Sequence, residues 1–96
     1  MTEQEFWAYC DELRKESGKR VNGYRLPKKI VTQMGELLLQ KEISPKAQTV
    51  IMMTLAHQQK SNEALKYLKA YNSMQNDQGM KYFTQFAVEE CEWWNK

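Results

Sequence analysis

Five cations, Lys19, Arg20, Arg25, Lys28 and Lys29, crowd a short stretch around Asn22-Gly23 and Pro27. Asn-Gly set between Val21 and Tyr24 is the strongest short-range signal for a two-residue hairpin turn. A type I′ turn there pairs Val21 with Tyr24, Arg20 with Arg25 and Lys19 with Leu26. Two guanidinium groups then sit directly opposite one another, which is unfavourable unless an anion joins them. Lys28 and Lys29 open the next helix, at the end where the macrodipole disfavours cations and free backbone N–H groups attract anions. The chemistry expected of Lys19, Arg20, Arg25, Lys28 and Lys29 is therefore binding of a phosphate or carboxylate on a partner.

The remaining titratable groups do not assemble into a reaction. Glu90 falls on a helical arc beside Phe83, Phe86, Ala87, Cys91 and Trp94, where a carboxylate must pair, reach for water or hold its proton. A catalytic acid needs a second titrating group, and the spacing identifies none. One histidine, His57, and two distant cysteines, Cys10 and Cys91, make neither a multi-histidine site nor a zinc cluster. No local signature joins His57 to either thiol as a nucleophile pair, and both thiols are expected to be reduced core residues. Ser17-Gly18-Lys19 lacks the upstream glycine and the preceding strand of a phosphate-binding loop. The expectation is a non-enzymatic protein with no catalytic residues, no metal site and no cofactor.

The elements that position these residues are helices. A chain of 96 residues suits one domain, residues 1–96, and 4 Gly with 2 Pro are too few to punctuate a sandwich or barrel. Thr2 and Glu5 form a capping box for a first helix that carries Phe6, Tyr9, Cys10 and Leu13 on one arc and ends near Gly18. Pro27 suits the first position of a second helix, with Ile30, Val31, Met34, Leu37 and Leu38 on one stripe, Leu39 off it, and Gly35 marking a close crossing. Ser44-Pro45 opens a third helix running to about Gln59, whose apolar residues scatter round the whole wheel, as in a central helix or one that meets a partner. Lys60-Ser61-Asn62 turns into a fourth helix, and residues 75–79 break it. A fifth helix sets Met80, Phe83, Phe86, Ala87, Cys91 and Trp94 on one side, flanked by Tyr82 and Trp93. The fold class is all-α, a compact bundle of about five helices with a short β-hairpin over residues 19–26.

A net charge of +2 is too weak to imply a partner, but its distribution is uneven. Seven bases face one acid between Arg14 and Lys29, whereas Glu89 to Lys96 holds three acids and one base. The reading that accounts for most of the apolar excess is a small helical module that docks on a larger protein or nucleoprotein. Leu39, Met52, Met53, Trp93 and Trp94 would form its contact surface, together with the basic loop. The alternative is a nucleic-acid-binding regulator using residues 14–29, with affinity that falls steeply with salt. A helix-turn-helix reading would place Lys46 and Gln48 on DNA but leave Val50, Met52 and Met53 facing water or bases, and methionine-rich surfaces suit apolar protein partners better. A homodimer burying the third helix would hide the same surface. No stretch is long and apolar enough for a membrane span, so a cytoplasmic location without membrane association is expected.

Overall fold

Four helices begin at small polar residues whose side chains take up otherwise unpaired backbone N–H groups. A computed structural model describes residues 1–18, 25–40 and 42–96. Its helices are α1 (Glu3–Ser17), α2 (Lys28–Leu38), α3 (Pro45–Ala56), α4 (Asn62–Met74) and α5 (Gln78–Trp94). Thr2 and Glu5 form the expected capping box on α1, and Gly18 closes that helix in the left-handed region at φ 74°. Ser44, Ser61 and Asp77 cap α3, α4 and α5 through their side chains. Pro27 stands just ahead of α2 and supplies no side-chain cap. The described residues contain no strand, and the turn of the expected hairpin, with Lys19 and Arg20, lies outside them.

Three helix limits differ from the sequence expectation, the first being that Pro27 precedes α2 instead of opening it. Helix α3 stops at Ala56 rather than near Gln59, because Gln58 turns inward and becomes a bracket. Its Oε1 accepts the Leu26 N–H at 2.9 Å and its Nε2 donates to the Thr54 carbonyl at 3.2 Å. Helix α5 starts at Gln78, not after Gly79, because Asp77 accepts the Met80 N–H at 2.9 Å and draws the glycine into the first turn.

Helix α3 packs against α2, α4 and α5, which explains why its apolar residues surround the wheel. Ile51, Met52, Thr54 and Leu55 are fully enclosed. Met52, expected on a partner-facing surface, is therefore a core residue with 0% exposure, touched by the Thr84 hydroxyl of α5 at 3.4 Å from its sulfur. Helix α1 is held by polar bonds at its start, by the Phe6 ring and by Trp7, Tyr9, Cys10 and Leu13 packed against the core. Phe6 is fully buried, while the Glu3 carboxylate accepts the Ser44 N–H and hydroxyl, each at 2.8 Å, and the Trp7 indole N–H at 3.0 Å. Those donors hold the Glu3 carboxyl below the usual carboxylate range, the Ser44 backbone N–H contributing most.

Gly35 marks a close helix crossing, as its mid-helix position implies. A Cβ built there would lie 2.2 Å from Cγ of Tyr67 on α4, so α2 and α4 approach to a distance that only a hydrogen allows. Gly35→Ala should therefore lower stability by about 1–3 kcal/mol despite its better helix propensity, read as a fall in the denaturant midpoint with unchanged slope. Because the Glu3 carboxyl is stabilised in its charged form, its contribution is present above the ordinary glutamate pKa and is lost as pH falls toward the lowered one. The melting temperature of Glu3→Gln should accordingly lie below that of the parent at neutral pH and converge with it as pH falls through the lowered pKa.

Candidate functional site

Helix α5 carries two apolar stripes on opposite sides, an inner one of small side chains and an outer one of aromatic rings set among polar residues. Thr84, Ala87, Val88 and Cys91 are buried, and these small side chains let α5 settle closely on α3 and α4. The opposite face carries Tyr82, Phe86 and Trp93, which are 79%, 62% and 57% exposed. The sequence expectation placed Phe86 on the inner arc, and the structure corrects this by rotating the helix so that the slimmer stripe faces the core. Packing decides the matter. A bulky ring at the inner contact would hold α5 away from Met52 and leave a void around it.

Tyr82, Phe86, Glu89 and Trp93 recur at intervals of four, three and four residues, the spacing of a helix–helix seam. Between the Phe86 and Trp93 rings lies a depression of about 380 Å³ whose floor includes Glu89 and Glu90. A second depression of about 240 Å³ follows at Gln78, Lys81, Tyr82 and Gln85. Glu89 accepts a hydrogen bond from the Gln85 amide at 3.2 Å. Glu90 accepts one from the Trp94 indole N–H at 3.3 Å, and its Oε1 stands 3.9 Å from Nε2 of His57. The other His57 nitrogen, Nδ1, is 2.7 Å from the Met53 carbonyl; a carbonyl can only accept, so Nδ1 carries the proton. Glu90 is thus half-exposed on the edge of the inner arc rather than sealed within it.

Trp93 and Trp94 pack edge to face with centroids 4.8 Å apart. Asn95 secures this end of α5. Its amide donates to the Gln58 and Cys91 carbonyls at 3.2 and 2.8 Å, and its side-chain oxygen accepts the Ser61 N–H. Trp93 is consequently displayed outward, and Trp94 is half-buried, 6.5 Å from the His57 ring. Of the other residues expected at an interface, Leu39 packs against the core and Met53 is half-buried.

The cationic group is only partly described. Arg25, Lys28 and Lys29 are exposed, and α2 begins without a side-chain cap or an acidic residue in its first turn. Lys28 joins Lys60, Ser61, Asn62 and Glu63 around a depression of about 250 Å³. Lys60, at φ 53°, was not singled out from the sequence, since only folding brings the α3–α4 turn beside α2. Lys19 and Arg20 lie outside the described residues. Of the two polar residues of the helix-turn-helix reading, Lys46 is exposed and lies over the Trp7 ring at 5.6 Å, and Gln48 is half-buried and bonds the Ile43 carbonyl and the Tyr71 hydroxyl.

Burial pushes both thiols up to about 11, Cys10 with help from Asp11 and Cys91 with help from Glu92, and both cysteines are free. Among the described residues no group of three or more His, Cys, Asp or Glu side chains converges, and no helix is long and apolar enough to cross a membrane. The fold and its exposed surfaces define a five-helix bundle with an aromatic, acidic last helix. No protein family, no curated protein and no solved structure matches the chain.

If α5 presents its aromatic rings outward, Phe86→Ser should change stability by no more than about 0.5 kcal/mol, as at an ordinary surface position. Met52→Ala should cost about 2–5 kcal/mol, as expected for a filled core site. Paired denaturation curves distinguish the two positions.

Proposed function

We propose that this protein is a non-enzymatic binding module that docks on a larger protein through the outer face of α5, with the cations near the start of α2 as a second contact. The observation that carries this reading is the stripe of Tyr82, Phe86 and Trp93, three large aromatic side chains exposed along one helix face. Rigid aromatic rings are the side chains that most often anchor protein interfaces, because they bury much area while losing little conformational entropy. The surface differs from the one expected from sequence. Trp93 remains in it and Trp94 borders it, Tyr82 and Phe86 join it, and Met52 leaves it.

Arg25, Lys28, Lys29 and Lys60 favour acidic groups on the same partner, whether carboxylates or the phosphates of a nucleoprotein. Free thiols at Cys10 and Cys91 are in keeping with a cytoplasmic setting. A purely nucleic-acid-binding role is less well supported, since Glu89 and Glu90 line the depression beside Phe86 and Trp93 and would repel phosphates there.

The test is capture of partners from the source cell by the tagged chain, by Phe86→Ser/Trp93→Ser, and by Arg25→Ala/Lys28→Ala/Lys29→Ala, each with and without nuclease. Capture that survives nuclease, is lost in the aromatic double variant and is weakened in the triple variant is the expected result. Capture abolished by nuclease and unaffected by Phe86→Ser/Trp93→Ser would replace this reading with the nucleic-acid one. Light scattering that shows a dimer at about micromolar concentration, abolished by the same aromatic changes, would make the face a self-association surface instead.

A further inference from the structure

The electrostatics of α5 narrow what can cover it. Glu89, Glu90 and Glu92 all lie in its last two turns, and its last turn contains no base. Carboxylates there face the negative end of the helix dipole, which is unfavourable until a cation approaches. Among the described residues no lysine or arginine forms an ion pair with any of the three, and the nearest cationic candidate is His57, 3.9 Å from Glu90. Glu89 occupies the seam itself, between Phe86 and Trp93, with an uncharged amide as its partner.

Resting on the docking role proposed above, we infer that the occupant of this face is a basic amphipathic helix of a protein partner, one of whose arginine or lysine side chains enters the depression between Phe86 and Trp93. The two aromatic rings and the two carboxylates that line that depression match such a side chain. Aromatic rings attract a cation over their π faces, and Glu89 and Glu90 pair with its charge. A helical occupant follows from the seam, since Tyr82, Phe86, Glu89 and Trp93 form a ridge about 16 Å long, at 1.5 Å per residue, with the period that meshes with a second helix.

A second copy of the chain does not fit the same face. Pairing two α5 helices in parallel sets Glu89 against Glu89. Pairing them antiparallel about the middle of the ridge sets each Glu89 opposite Phe86 of the other copy and leaves the two Glu89 carboxylates in neighbouring layers, about 4.5 Å apart along the axis. Both arrangements bring like charges close together with no cation between them.

The experiment uses the full chain and three synthetic amphipathic helices with identical leucine seams, bearing arginine, glutamine or glutamate at the flanking positions. Binding is followed by calorimetry and tryptophan fluorescence. The arginine peptide should bind at least about tenfold more tightly than the glutamine peptide, and the glutamate peptide more weakly still. Glu89→Gln/Glu90→Gln should erase the preference for arginine without changing affinity for the glutamine peptide, while Phe86→Ser should weaken both. Far-ultraviolet dichroism and melting of the variants should match the parent, since Phe86 and Glu89 are exposed and an amide at position 90 can still accept the Trp94 indole N–H. Equal affinity for the arginine and glutamine peptides, an arginine preference that survives Glu89→Gln/Glu90→Gln, or no binding of the arginine peptide would each overturn the inference. Any of those results, obtained while Phe86→Ser/Trp93→Ser still abolishes partner capture, removes the basic helix and leaves the docking role in place. Loss of the docking role is read separately, from capture that ignores the aromatic changes.

Discussion

Helix α3 carries apolar residues round most of its wheel, and the rest of the bundle is arranged to cover them, leaving a strip with Lys46, Thr49, Val50 and Met53 exposed or half-buried. Burial of Ile51, Met52, Leu55 and the alanines at its two ends supplies the hydrophobic driving force. The limit on that burial is how closely the covering helices can approach. Close approach is granted where side chains are small: Gly35 lies beneath Tyr67 at the α2–α4 crossing, and Thr84, Ala87 and Val88 form the inner face of α5. The three polar residues fully buried by this packing among the described residues are bonded, Gln58 to Leu26 and Thr54, Thr54 to the Val50 carbonyl and Thr84 to the Met80 carbonyl, as burial in a low-dielectric interior favours.

The external face of α5 is a consequence of the same constraint. Once the slim stripe is committed to α3 and α4, the large rings on the other side of the helix have no place within the subunit. Asn95, bonded to Gln58, Cys91 and Ser61, then fixes the end of α5 against the α3–α4 turn and holds Trp93 outward. That joint also brings the acidic end of α5 next to Ser61, which borders the depression lined by Lys28 and Lys60. A partner that carries cations opposite Glu89 and Glu90 and acids opposite Lys28 and Lys60 would be complementary to both surfaces, and charge pairs of this kind govern orientation and association rate more than affinity.

Much of the local structure was legible in the residues. The capping box at Thr2 and Glu5, Gly18 as a helix stop, Ser44 ahead of Pro45 and the Ser61 turn depend on hydrogen bonds within four residues, so neighbouring sequence suffices to read them. Gly35 was legible as a crossing because a glycine inside a helix calls for a packing reason. The functional surface was read less well. Met52 was assigned outward because a wheel cannot say whether an all-apolar helix is surrounded by its own chain or by another. Phe86 was assigned inward because a wheel weighs hydrophobicity and ignores girth, while the α3–α5 contact selects for small side chains.

What the sequence by itself determined, then, is the set of five helices, most of their caps, and the uneven distribution of charge along the chain. These follow from backbone hydrogen bonding and periodicity, which act over a few residues. Only the tertiary structure decided which of the two apolar stripes of α5 would be hidden, that Met52 would be sealed, and that Lys60 would stand beside Lys28. Those outcomes turn on volume and proximity between segments distant in the chain, and no window of sequence contains that information.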